Sequence, residues 1–178
     1  MSRPQAKKAL EREAVSVRLA ERQDAAAISD VIFSAFSHFR EHYTPEAFEV
    51  VASTPEEILS RFDEGPQWVA SADGEIVGTV SLTVEDGDLY VRSMAVAPQA
   101  QGQGVAHKLL DAIDEYAAGT EFDRIFLYTT YFTPGAKRLY EKHGYAWVRD
   151  TTAEEWYGVP GLEMDKKLEG KKKHVVGS

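Results

Sequence analysis

Cysteine is absent from this chain of 178 residues. That excludes disulfides, a thiolate nucleophile, redox thiol chemistry and every zinc site built on cysteine. Long apolar runs are also missing. No stretch approaches the ~20 residues that span a bilayer, so no membrane partner is expected. The opening MSRPQAKKALEREAV is basic but has no apolar core of a secretory signal, which makes a cytoplasmic protein the expectation. A basic body is lacking too. The net charge is −9; residues 1–13 carry +2 and residues 166–178 carry +4, which leaves −15 on the residues between. Phosphate contacts need a basic surface, so nucleic acid is not the expected partner. A negative field suits solubility and would concentrate a cationic small molecule or peptide.

What is present reads as globular. Hydrophobic residues make up 43% and aromatics 11%, and the length fits one domain. The pattern places that domain at 14–168, between a flexible segment at 1–13 and a flexible basic tail at 169–178. Val15, Val17 and Leu19 alternate with polar residues and predict a strand. Asp24 then stands where it can cap a helix running through Ile28, Val31, Ile32 and Phe36. Thr44-Pro45 and Thr54-Pro55 each read as an N-cap followed by proline, and Glu57 completes a capping box with Thr54. Strands are predicted at 67–71, 76–84 and 89–96, joined by turns at Asp73-Gly74 and Asp86-Gly87, as an antiparallel meander. In the middle strand Val80, Leu82 and Val84 share one face. A helix from Val105, a strand at 124–129, a helix started by Thr133-Pro134 and stopped by Gly144, and strands at 145–148 and 162–168 follow. Strands first, then a βαβ unit, predict a mixed α/β fold: a mostly antiparallel sheet with helices on both faces.

The segment Met94-Ala95-Val96-Ala97-Pro98-Gln99-Ala100-Gln101-Gly102-Gln103-Gly104-Val105-Ala106-His107 carries the chemistry. A strand runs through a proline-marked turn and a small-residue loop into an amphipathic helix. The first N–H groups of a helix lack internal partners and carry partial positive charge, so this junction suits a phosphate. A Walker loop would need Gly-Lys-Ser/Thr, which is not here, and a dinucleotide fingerprint would need a small residue at His107.

As a whole, the segment resembles the GNAT superfamily of N-acetyltransferases, whose signature stands here as Gln101-Gly102-Gln103-Gly104-Val105-Ala106. A second block, Ala136-Lys137-Arg138-Leu139-Tyr140-Glu141-Lys142-His143-Gly144-Tyr145, looks like the family's A-x-x-L-Y-E-K-x-G-aromatic helix and strand. The resemblance covers about Val15 to Leu168. It implies acetyl-CoA as co-substrate, no metal, and a cleft where strands 89–96 and 124–129 splay apart. The N–H groups of 102–107 would hold the pyrophosphate, and Met94, Ala95 and Val96 would lie along the pantetheine. A bulge at Met94 would aim its N–H at the thioester oxygen, worth ~3 kcal/mol in other acyl transfers. Tyr140 stands where the family keeps its general acid, and Ala136 and Thr133 would flank the cofactor. The family often has Asn at that last position, so Thr133 counts less as a contact and more as an N-cap.

The implied reaction is direct attack of a primary amine on acetyl-CoA in a ternary complex. Several members place a glutamate base four residues before the oxyanion donor; here that residue is Tyr90, and either Tyr90 through a water or one of Glu85, Asp86, Asp88 and Glu163 would take the amine's proton. A non-catalytic acyl-CoA sensor is the alternative that the missing glutamate keeps open. A homodimer is equally open. The acceptor would be a small molecule or peptide. Glu41, Glu154 and Glu155 with neighbouring aromatics at 37–43 and 151–161 would suit an ammonium, while Arg92 would suit a carboxylate unless it is tied in an internal ion pair with Asp88 or a glutamate of a neighbouring strand. His38 and His42, four apart, invite a metal only if they share a helix and find a third ligand.

Overall fold

A computed structural model describes residues 15–169. The expected flexible segments at 1–13 and 169–178 therefore fall outside it, except for Glu169. Seven strands form one sheet: β1 (Ser16–Leu19), β2 (Gln67–Ala72), β3 (Glu75–Glu85), β4 (Asp88–Val96), β5 (Arg124–Thr129), β6 (Ala146–Thr151) and β7 (Gly161–Lys167), in the spatial order β1-β2-β3-β4-β5-β7-β6. The helices are α1 (Ala25–Ser37), α2 (Pro45–Val51), α3 (Pro55–Arg61), α4 (Val105–Ala118) and α5 (Ala136–Lys142). The mixed α/β fold and the antiparallel meander β2–β4 are as the sequence predicts, and β1 pairs antiparallel with β2.

Local chemistry explains most boundaries. Thr44 Oγ1 accepts from Ala47 N, and Thr54 and Glu57 form a reciprocal box. Both predicted hairpin turns use two residues at positive φ, Asp73-Gly74 (53° and 80°) and Asp86-Gly87 (52° and 83°), matching the twist of the flanking strands. Two expected caps fail. Asp24 does not cap α1; its carboxylate binds Arg18 and Glu21 N, closing a tight turn just before the helix. Thr133 does not start α5, which begins three residues later behind Gly135; its hydroxyl meets that of Thr130 at 2.9 Å. Of the three valine and leucine positions predicted to share a face of β3, Val80 and Leu82 are buried and Val84, near the strand's end, is half exposed.

The sheet is covered on both faces. One core packs Val105, Leu109, Leu110 and Ile113 of α4 on Ala70, Val80 and Leu82. Gly78 of β3 is the bare spot that seats α4, since a Cβ there would come within 2.7 Å of Val105 Cγ1. The other core packs Ile28, Ile32 and Ile58 on Val69 and Ala95. Polar Thr79 and Ser81 are fully covered and satisfied by the carbonyls of Trp68 and Arg92, at 3.0 and 3.1 Å.

Two irregularities shape the centre. First, the parallel pair β4–β5 is bonded only from Leu89↔Ile125 to Val91↔Leu127, although both strands continue beyond. Second, the β3–β4 register shifts between Thr79↔Ala95 and Ser81↔Arg92, so β4 bulges at Ser93-Met94, with Ser93 at φ 56°. The bulge reverses the strand's facing: Leu89 and Val91 lie in the core under α4, Ala95 in the core under α1.

Arg124 clamps the closed end of the parallel pair. It reaches Asp88 of β4 at 3.2 Å, and Glu163 and Asp165 of β7 at 2.5 and 2.6 Å. Replacing it by methionine leaves three carboxylates facing one another, Glu163 among them nearly buried. Arg124→Met should lower unfolding stability by about 2–4 kcal/mol, read by urea denaturation. Unaltered stability would show that the clamp contributes nothing net.

Candidate active site

Beyond Val91 and Leu127 the gap between β4 and β5 opens into a cleft of about 1490 Å³. Ordinary small-ligand sites are about 300–1,000 Å³, so there is room for a long cofactor and a second reactant. β4 lines it with Tyr90, Arg92, Met94, Ala95 and Val96. The loop and the start of α4 line it with Gln101, Gly102, Gly104, Ala106 and His107, and the segment into α5 with Thr133, Ala136 and Tyr140. The structure thus brings together all but Gln103 and Val105 of the cofactor and catalytic residues that the family resemblance implies; of the residues weighed for the acceptor, the proton or a metal, His38, Glu41, His42, Asp86, Asp88 and Glu163 do not line the cleft. Gln103 braces the loop, its Nε2 donating to Gln99 O at 3.3 Å; the Val105 side chain is buried in the core under α4, leaving its backbone at the helix start.

The helix start is unusually open. Gly104 is the N-cap, at φ 80°, and no side chain caps α4. The amides of 105–107 precede the first intrahelical bond, Lys108 N to Gly104 O at 3.2 Å. The two short helices at 45–61 fill the same need with threonine hydroxyls. A Cβ at Gly102 or Gly104 would meet nothing within 4 Å, so the loop backbone is uncovered on its outer side. Gln101 Nε2 ties the loop back to Val96 O at 3.2 Å.

The chemistry of the wall residues follows from burial. Tyr140 is buried, its ring edge-on to Tyr145 at 5.9 Å, and burial pushes its phenol well above the usual value. It therefore keeps its proton at any working pH and can donate it. Burial pushes Tyr90 up to about 12, with Glu85 adding to the effect, so that phenol is also protonated at neutral pH. Tyr90 stacks on Phe126 at 5.0 Å. Of the alternative bases, Asp88 and Glu163 are held by Arg124, whereas Glu85 lines the cleft.

The acidic reading of the acceptor walls holds only in part. Glu154 and Glu155 line the cleft, but Glu155 is paired with Arg149 at 2.7 Å, and Glu41 does not line it. The cleft also collects Arg61, Arg92, Arg138, Lys142 and Arg149 within an acidic body. Arg92 does form an internal ion pair, but with Glu64 of the turn before β2 rather than with Asp88 or a glutamate of a neighbouring strand. Arg61 was not singled out by the sequence at all. His38 and His42 do not share a helix; His42 ends a 3₁₀ turn and stacks on Phe132 at 4.8 Å. Phe39 and Tyr43 do line the cleft, as do Glu154, Glu155, Trp156 and Tyr157. Among the described residues, Asp111, Asp114 and His143 form one group of metal-ligating type, but Lys166 Nζ already holds Asp114 at 2.5 Å. His107 Nδ1 lies 2.8 Å from His143 Nε2, a contact with no local sequence signal.

Residues 35–145 match the Acetyltransferase (GNAT) family. The chain belongs to that family. Human N-acetylaspartate synthetase is 31% identical over 99 residues, which is 54% of this chain and 32% of that protein. Rat N-acetyltransferase 8 is 33% identical over 84 residues, 44% of this chain and 38% of that protein. The matches thus span about a third of the length of these curated relatives. Among solved GNAT folds, the PaiA N-acetyltransferase from Thermoplasma acidophilum in complex with coenzyme A superposes with a TM-score of 0.72 at 17% identity, covering 86% of this chain and 98% of that one. A GNAT acetyltransferase from Staphylococcus aureus Mu50 gives 0.71 at 18% identity, covering 88% and 100%. No helix among the described residues is long and apolar enough to cross a membrane.

The open helix start generates a clean test. Substituting Gly104 confounds two effects, because any side chain at φ 80° is strained whatever binds there. Ala106→Glu avoids this. A negative side chain in the first turn favours the helix by a few tenths of a kcal/mol, yet repels a phosphate at the same place. Calorimetric titration should show coenzyme A affinity falling at least about tenfold with the melting temperature kept or raised. Undiminished affinity would remove the phosphate from this end of α4.

Proposed function

We propose that this protein is an acetyl-CoA-dependent N-acetyltransferase, moving the acetyl group to a primary amine by direct attack in a ternary complex. The observation that carries the reading is the coincidence, in one cleft, of the unpaired segments of β4 and β5, the bulge at Ser93-Met94, the uncapped start of α4 and the buried Tyr140. In its fit to the cofactor, the loop amides of 102–107 receive the pyrophosphate and the free edge of β4 from Met94 to Val96 runs beside the pantetheine. Arg138 and Lys142 lie on the same side and add positive charge for its phosphates.

Bound acetyl-CoA supplies an activated acyl carbon. Met94 N, released from the ladder by the bulge, donates to the oxygen on which charge develops as the amine adds. The amine arrives mostly as an ammonium and must lose a proton. Tyr90, protonated itself, orders the water that carries this proton to Glu85, whose charge is felt at Tyr90. As the carbon–sulfur bond breaks, Tyr140 donates its phenolic proton to the leaving thiolate. The products are an N-acetylated amine and free coenzyme A. The name of N-acetylaspartate synthetase gives that relative's product as an N-acetylated amino acid, which agrees with an amine acceptor here.

Thiol release from acetyl-CoA across a panel of amines tests the activity. Coenzyme A binding with no release on any amine would make the protein an acyl-CoA sensor instead. In Tyr140→Phe the ring and its packing stay while the proton donor goes. We expect kcat to fall about 10²–10⁴-fold with coenzyme A affinity unchanged. Full turnover in that variant, with chemistry rate-limiting, would return Tyr140 to a packing role.

A further inference from the structure

Arg61 ends α3 and lines the cleft on the side away from the coenzyme A loop. Its guanidinium donates from Nη1 to Ser93 Oγ at 3.0 Å and from Nη2 to Ser53 Oγ at 2.9 Å. Both partners are neutral hydroxyls. Among the described residues no carboxylate lies within 4.0 Å of it. Glu57 and Glu64 contribute only at longer range. A guanidinium carries five N–H donors, so several are unspent. The neighbouring cation differs: Arg92 is neutralised by Glu64, although its Nε is a buried donor with no partner. Arg61 thus stands as a half-buried positive charge with no anion within ion-pair distance among the described residues. Such a charge is costly unless a ligand supplies the anion.

Its position selects the ligand. Ser93 immediately precedes Met94, the residue whose N–H faces the reacting carbonyl in the proposed mechanism. The charge therefore sits next to where the attacking nitrogen must lie. On the same side the cleft is apolar, with Phe36, Phe39, Tyr43, Val50 and Val51, closed by Trp156 whose ring lies 6.2 Å from that of Tyr43.

We propose that the acceptor is a free α-amino acid with an apolar or aromatic side chain, and that Arg61 binds its carboxylate. An α-amino acid keeps carboxylate and amine one carbon apart, which matches a cation adjacent to the bulge. Arg61 then exchanges part of its serine contacts for a charge-assisted pair, and the aromatic wall takes the side chain. One unneutralised cation fits one carboxylate. The inference rests on the acetyltransferase reading above.

Steady-state acetylation is measured for L-phenylalanine, L-phenylalaninamide, L-aspartate and spermidine, with wild type and Arg61→Gln, and coenzyme A affinity is read separately by calorimetry. L-Phenylalanine should exceed its amide about 100-fold in kcat/KM, and that preference should collapse in R61Q with coenzyme A affinity retained. Comparable turnover of acid and amide, preference for aspartate or spermidine, or a preference surviving R61Q would overturn the assignment while leaving acetyl transfer standing. Silence on every amine, with coenzyme A still bound, would instead overturn the acetyltransferase reading and this inference with it. If R61Q does not fold, the wild-type comparison of phenylalanine with its amide decides.

Discussion

The structure turns on hydrogen bonds that β4 and β5 stop making. Parallel neighbours ordinarily pair along their shared length, and unpaired backbone groups inside a protein cost free energy. Here pairing ends at Val91 and Leu127 although both strands run on. Everything around the gap serves to hold it open. Arg124 fixes the closed end, α4 is seated on the bare Gly78, and the bulge turns Met94 out of register. The exposed edge becomes a template for an extended ligand, much as a sheet edge accepts an added strand.

Electrostatics divide the molecule in two. The body between the termini is strongly acidic, a net charge that says nothing about the site. The cleft gathers arginines and a lysine from α3, β4, α5 and β6, elements far apart in sequence. A count over a window sees the first and misses the second. That is why the glutamates at 154 and 155 suggested an ammonium pocket without the cations beside them, among them Arg149, which pairs with Glu155.

What the sequence disclosed was local. Thr44 and Thr54 cap because hydroxyl and amide are three residues apart, and Asp-Gly turns announce positive φ by residue type. The loop at 101–107 was legible for the same reason. The misses were tertiary. Asp24 is drawn off its helix by Arg18, and Thr133 by Thr130. Arg61 reads as an ordinary cation at a helix C-terminus, where such residues are favoured anyway. Only its contact with Ser93, 32 residues on, marks it out, and no periodicity encodes that contact. The end of strand pairing at Val91 was likewise invisible, since β4 keeps apolar residues on both sides of it.

The bulge at Ser93 has a further effect on how this chain can change. Upstream and downstream halves of β4 present their side chains in opposite phase: Leu89 and Val91 to one core, Ala95 to the other. Gaining or losing a single residue in either half would shift that half by half of the two-residue side-chain period and flip its faces. Tyr90 and Arg92, or Met94, would then leave the cleft wall they now line. The strand is therefore closed to insertions and deletions. Descendants with new acceptors must come by substitution along it, or by length changes in the segments at 38–44 and 152–160, which wall the cleft without belonging to the sheet.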